Sequence, residues 1–365
     1  MKKLFIIYYI LNKRKLNQRM ESKKNKFYSI EIEKDKLYWI SNSEPPKSES
    51  KALFFSIDEV LAYKPFNEDF GPVNLSMTHK LVIELKLIMR KSNCKIYFYT
   101  SLAEDKRANA AYLMCAYLII SKKMTAEMAW NYFKTEKFKP FRDASCGPST
   151  YDCTIFDCLK GLEYALELGW YNPTTFSVKE YENNEMENMN WIIPGKLLAF
   201  SKPSSEEYDE KGNKLLTPLD YCNIFKKMGI TTVIRLNKPT YDKKIFENNQ
   251  IKHRDLYFLD GEIPSEEIVE HFFDIVENEK GGVAVHCSSG RGNTGTLMAI
   301  YAMKHYRFPA RAFIGYIRIC RPGSILGKQQ NFLVQEQDKY FKIGDQYRIN
   351  NGLKDYKIIE SDKLN

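Results

Sequence analysis

The chain runs to 365 residues, 44% hydrophobic and 28% charged, which excludes a disordered polymer and leaves room for two domains of ordinary size. A formal net charge of +9 points to an anionic partner, whether phosphoprotein, nucleic acid or acidic membrane. The eight cysteines are scattered without a C-x-x-C pair, so they read as free thiols of a reducing compartment, and no Cys/His cluster has zinc-ligand spacing.

The chain opens on an apolar run, 4–11, flanked by lysines. That run is far short of the roughly 20 residues that span a bilayer, and no small-residue cleavage site follows it. Residues 1–21 are therefore expected to be a loose cytosolic extension. A first domain is expected over 22–171. It begins with a strand pair at 28–33 and 37–40, followed later by a strand at 95–101 and helical periodicity over 108–133, broken near Ser121. Residues 172–190 are polar and acidic, with an Asn-Pro and the carboxylates Glu180, Glu182, Glu185 and Glu187, and read as a linker. A second domain is expected over 191–342, with buried strands at 231–236 and 282–286 and helices at 265–279 and 294–306. A polar tail, 343–365, ends the chain. Strands alternating with helices give the α/β class, each domain a central sheet flanked by helices.

The strongest chemical signal is Val283-Ala-Val-His286-Cys287-Ser-Ser-Gly290-Arg291-Gly292-Asn293-Thr294-Gly295. A β-branched run ends on His-Cys, a glycine-rich turn follows, and a helix begins. A thiol so placed faces a ring of backbone N–H groups and a helix N-terminus, which favours thiolate and binds tetrahedral anions. The segment also spells G-x-G-x-x-G, but a dinucleotide site needs a carboxylate about 20 residues on. No Asp or Glu occurs between Glu279 and Glu336. That acid-free stretch carries Arg291, Lys304, Arg307, Arg311, Arg318, Arg321 and Lys328, a one-signed field suited to a phosphate dianion.

Phosphoryl transfer needs an acid for the leaving oxygen. Asp260, in a strand running into a Gly/Pro turn, is the best candidate, with Asp255 and Glu262 as alternatives. The strand–loop–helix plan of 283–317 recurs at 95–133. Superposing the two puts Ser101 where Cys287 stands, so only the second half could do cysteine chemistry.

These residues resemble the dual-specificity protein phosphatases of the cell-division-cycle-fourteen type. The resemblance rests on Phe70-Gly-Pro-Val-Asn-Leu75 and Pro140-Phe-Arg-Asp-Ala144 in the first half. In the second it rests on Ile234-Arg-Leu-Asn-Lys238, the Cys287 loop, Ile317-Arg-Ile-Cys-Arg-Pro-Gly-Ser324 and Gly327-Lys-Gln-Gln330. It implies two tandem phosphatase-like domains, the first without a nucleophile, and an intracellular protein of nucleus and cytoplasm. It also implies cofactor-free hydrolysis of cyclin-dependent-kinase-type Ser-Pro sites in phosphoproteins, with no nucleic acid and no membrane span. Carried onto this chain, Cys287 is the nucleophile, Asp260 the general acid and Thr294 the hydroxyl that eases thiolate departure. The backbone of Ser288, Ser289, Gly290, Arg291, Gly292 and Asn293 cradles phosphate. Gln329 and Gln330 place the hydrolytic water, and Glu180, Glu182 and Glu185 line a groove for a basic residue beyond the Ser-Pro.

One position departs from the family pattern of His-Cys, five residues, then Arg: the sixth residue after Cys287 is Asn293. A guanidinium there grips two phosphate oxygens, each charge-assisted bond contributing about 1.5–3 kcal/mol. Asn is short and neutral. The expectation is a weakened catalyst in which Arg291 restores part of the charge, or a phosphate-binding pseudophosphatase. Hydrolysis of inositol-lipid phosphates is a third reading.

Overall fold

A computed structural model describes residues 28–44, 46 and 52–353. The apolar run at 4–11, the remainder of the 1–21 extension and the end of the polar tail lie outside the described residues. Two sheets are built on one plan. In the first half, β1 (Ser29–Glu33), β2 (Leu37–Ser41), β3 (Ala52–Ser56), α1 (Leu75–Lys91), β4 (Lys95–Thr100), α2 (Glu104–Lys122), α3 (Ala126–Trp130), α4 (Ile155–Glu167) and α5 (Val178–Met186) follow in order. In the second come β5 (Met189–Ile193), β6 (Leu197–Phe200), α6 (Pro218–Met228), β7 (Ile230–Arg235), α7 (Lys244–Asn248), β8 (Lys252–Asp255) and α8 (Glu266–Asn278). After these come β9 (Gly282–His286), α9 (Gly292–Tyr306), α10 (Ala310–Cys320) and α11 (Lys328–Asn350).

Strand orders are β1-β2-β4-β3 and β5-β6-β9-β7-β8. Each begins with an antiparallel pair carrying one bulge, between Glu31 and Glu33 and again between Trp191 and Ile193, and each continues parallel. The correspondence is chemical as well: Ser41 Oγ donates to Ser101 O, and Ser201 Oγ donates to Ser289 O, both at 3.0 Å. The central strands β4 and β9 are buried along most of their length, as strands covered by helices on both faces must be.

Two differences from the sequence reading have local causes. The expected linker contains α5, started by Ser177 Oγ accepting from Glu180 N, and it runs directly into β5. The expected tail is helical to Asn350, because its last turns find partners: Arg307 pairs with Asp345, and Arg348 donates to His305 O.

One apolar core runs through both halves. Its seam is the crossing of α4 and α10. Gly161 faces the α10 backbone, where an added Cβ would lie 2.3 Å from Ala312 O. Gly315 faces α4, where a Cβ would lie 2.6 Å from Cys158 Cα. Neither position tolerates a side chain, so the helices meet backbone to backbone. Arg311 locks the end of the crossing with a fork onto Asp157, 3.0 and 2.9 Å, a carboxylate that also caps α4 by accepting from Thr154 N. Trp170 of the first half packs on Tyr306 and Phe308 of the second.

Replacing either glycine by alanine is expected to destabilise the chain by about 1–3 kcal/mol in equilibrium denaturation. Because both serve one crossing, the Gly161→Ala/Gly315→Ala pair is expected to cost less than the two singles together.

Candidate active site

Strand β9 delivers Cys287 to the sheet's carboxyl edge, and α9 starts five residues on. The intervening loop turns its carbonyls outward, and each of the five from 288 to 292 has a donor. Ser288 O accepts from Lys202 N, Arg291 O from Gly295 N and Ile325 N, and Gly292 O from Thr296 Oγ1. Ser289 O and Gly290 O accept from Arg321, at 2.9 and 2.8 Å. With the carbonyls fixed outside, the alternating peptide planes direct N–H groups to the other side, next to the sulfur and the α9 N-terminus. Among the described residues, no backbone N–H from 288 to 293 donates to another protein group.

Gly290 makes this curvature possible. Its φ is +65°, and a Cβ there would lie 1.9 Å from Phe200 O. Arg321 is 2% exposed, and its third contact is Asn190 Oδ1 at 2.7 Å. Three elements therefore hold the loop from behind.

Cys287 is 3% exposed. Thr294 is fully buried, and its hydroxyl has no protein partner. Behind the thiol, burial pushes the His286 ring down to about 3 and His253 down to about 4, so both rings are neutral at physiological pH. His286 Nδ1 donates to Cys287 O at 3.0 Å. Its Nε2 must then accept, and Tyr241 OH, 2.7 Å away, donates to it. The same hydroxyl oxygen accepts from His253 Nε2 at 2.9 Å. Tyr241 was invisible to motif reading, because nothing in sequence ties it to the thiol.

Asp260 sits at the tip of the segment after β8, exposed, with burial by neighbouring chain raising its pKa above the ordinary carboxylate value and Lys202 opposing the rise. The two alternative acids are engaged elsewhere: Asp255 with Arg235 at 2.7 Å, Glu262 with Lys328.

Several expected phosphate contacts are occupied. Arg291 donates to Pro322 O and Ser289 O and lies flat over Phe66 of the first half, 4.0 Å from the ring centroid. Asn293 gives its side chain to the Asp260 segment and to Gln329. Gln330 accepts from Arg318 and donates to Gly327 O, and Gln329 donates to Glu262 O. Four members of the one-signed field are paired with carboxylates, while Arg291, Arg318 and Arg321 bond neutral acceptors. Lys304 meets Glu277, Arg307 meets Asp345, Arg311 meets Asp157 and Lys328 meets Glu262.

The first half buttresses the site. Asp143, 1% exposed, accepts from Gly327 N. Asp69 shapes the Phe66 turn by accepting from Phe66 N and Asn67 N. Of the acidic set, Glu182 accepts from Ser76 Oγ and Lys80, and Glu185 from the α1 cap Asn74; Glu180 remains exposed. At the corresponding edge of the first sheet, Ser101 N and Thr100 Oγ1 both donate to the Asp58 carboxylate. A carboxylate of the chain itself therefore holds the edge of the first sheet that corresponds to the start of the Cys287 loop. Among the described residues no group of three or more His, Cys, Asp or Glu could hold a metal ion, and no helix is long and apolar enough to cross a membrane.

Residues 31–165 match the model of the dual specificity protein phosphatase N-terminal half, and residues 186–334 match that of the DSP-PTPase phosphatase domain of the Swiss Army Knife protein type. Mouse dual specificity protein phosphatase CDC14A is 45% identical over 329 residues, covering 88% of this chain and 55% of that protein. Human dual specificity protein phosphatase CDC14C is 42% identical, covering 83% and 70%. The chain thus spans about half the length of the first of these relatives. The crystal structure of Tk-PTP in its active form covers 42% of this chain and 97% of its own, at 18% identity and a TM-score of 0.34, too loose a likeness to inform the site.

Replacing Arg321 by methionine leaves buried Gly290 O and Asn190 Oδ1 without a donor and is expected to cost about 3 kcal/mol. Calorimetry of the purified variant checks it, together with isothermal titration of vanadate, whose binding is expected to be lost with the loop.

Proposed function

The chain belongs to the CDC14 family of dual specificity protein phosphatases, and from that premise we propose that it hydrolyses phosphoserine and phosphotyrosine in proteins, at a rate held down by Asn293. The observation that carries this reading is the loop whose five carbonyls are held outward beside Cys287. The sulfur attacks phosphorus as thiolate. The bond from phosphorus to the seryl or tyrosyl oxygen breaks, and that oxygen takes the Asp260 proton. Water then attacks the cysteinyl phosphate and gives its proton to the Asp260 carboxylate. Inorganic phosphate leaves, and the sulfur returns to thiolate with the Thr294 hydroxyl to bond it.

The proposed substrates are phosphorylated intracellular proteins with Ser-Pro sites. Glu180 and Glu185 are the carboxylates for a basic residue beyond the proline; Glu185 lies close enough to Arg291 to act on it electrostatically. A second reading, capture of phosphorylated segments without turnover, draws on Asn293 and Arg291. Asn293 and Arg291 are both committed to protein groups, so no guanidinium is directed at the phosphate position.

Phosphate release from a phosphoserine-proline peptide separates the two. Wild type is expected to turn over slowly, Cys287→Ser not at all, and Asn293→Arg about 10²-fold faster than wild type. A wild type as inert as Cys287→Ser, alongside a productive arginine variant, would leave capture as the function.

The pH profile tests Asp260. The acid works protonated, and burial raises its pKa from 3.8, so kcat is expected to fall as pH rises through that raised value. Asp260→Asn is expected to remove this limb and to lower kcat on phosphoserine by about 10²–10⁴.

A further inference from the structure

Asn293, 1% exposed in the first turn of α9, has every hydrogen-bonding capacity of its amide filled. Nδ2 donates to Phe258 O and Leu259 O, both at 3.2 Å. Oδ1 accepts from Gly261 N at 3.1 Å and from Gln329 Nε2 at 2.8 Å. The first three partners bracket Asp260 on both sides in the chain. The other ties of residues 258–262 are few: Phe258 N donates to Leu236 O, Glu262 N to Leu259 O, Gln329 Nε2 to Glu262 O, and Lys328 meets Glu262 in solvent. Tyr257, Leu259 and Ile263 stand exposed, and Gly261 is a hinge with φ +79°.

We propose that Asn293 is a positioning residue that fastens the Asp260 segment to the first turn of α9 before any phosphate arrives. The inference rests on the phosphatase reading for its catalytic meaning, but not for its physical content. A carboxamide suits the task because it donates twice and accepts twice. A guanidinium has five donors and no acceptor, so it cannot take the protons of Gly261 N or Gln329 Nε2. A carboxylate of the same shape would set its lone pairs against Phe258 O and Leu259 O. The substitution that costs the pocket its phosphate fork thus gives the acid a fixed seat. An arginine at this position would have to choose between phosphate and segment; Asn293 holds the segment whether phosphate is bound or not.

The test is hydrogen exchange on the whole chain for wild type, Asn293→Leu and Asn293→Asp. The Gly261 amide is expected to exchange about tenfold faster in Asn293→Leu, and the Glu262 amide faster in both variants as the segment loses its hold on Phe258 O and Leu259 O, with α8 and β9 unchanged. Carboxyl carbon NMR of Asp260 is expected to show its titration moving to lower pH in Asn293→Leu, as the freed segment returns to water. Equal exchange in wild type and variants overturns the proposal, as does acceleration spread over α8 and β9. If Asn293→Leu fails to fold, Asn293→Asp carries the comparison at the Glu262 amide. Where the enzyme turns over, kcat on phosphoserine is expected to drop more than kcat on p-nitrophenyl phosphate, whose leaving group needs less help. Protection lost with no turnover in any protein upholds the fastening while removing the phosphatase reading.

Discussion

The site depends on one buried guanidinium. Arg321 spends its donors on Gly290 O, Ser289 O, Asn190 Oδ1 and Ser201 Oγ. A peptide plane whose carbonyl is pinned on one side has its N–H on the other. By gripping the loop from behind, this cation sets the direction of dipoles in front, and the anion site is made of those dipoles rather than of a side chain reaching into it. A buried charge of this kind is stable only when its acceptors are all present, and the loop, β5 and β6 supply them together. The nest beside Cys287 is therefore a property of the whole second sheet.

Much of this was legible in the sequence. A β-branched run, His-Cys, glycines and a helix start are local signals, and they placed β9, the loop and α9 where the structure has them. The repeated strand–loop–helix plan was likewise readable, but its superposition was not: β2 pairs Ile40 with Tyr99 as β6 pairs Phe200 with His286, which brings Thr100 rather than Ser101 to the place of Cys287. Nor were the side-chain directions in the loop. Arg291 is two residues from the expected arginine position, yet Pro322 O and Phe66 claim it. Gln329 and Gln330 sit in a motif, yet one braces Asn293 and the other Arg318. These outcomes are decided by partners 12 to more than 200 residues away, which periodicity and spacing do not report.

The acid-free, basic stretch shows the same limit from the electrostatic side. Read along the chain it is an excess of positive charge; read in space four of its cations are paired with carboxylates, and Arg291, Arg318 and Arg321 bond neutral acceptors around the loop. Glu277, Asp345, Asp157 and Glu262 come from outside the stretch to meet Lys304, Arg307, Arg311 and Lys328. Charge patterning along a folded chain reports which contacts are available to be made, and only the fold reports which remain to act on a ligand.

The meeting of Gly161 and Gly315 joins the two halves. The first half carries no His-Cys loop, yet it has a structural duty: its Phe66 turn and Asp143 stand beside the Cys287 loop, and its α4 touches α10 with no side chain between. Change is then cheaper along the open edge of the first sheet than at the glycines where the two halves touch. A single methyl group at that seam would move one whole half against the other, and the Cys287 loop with it.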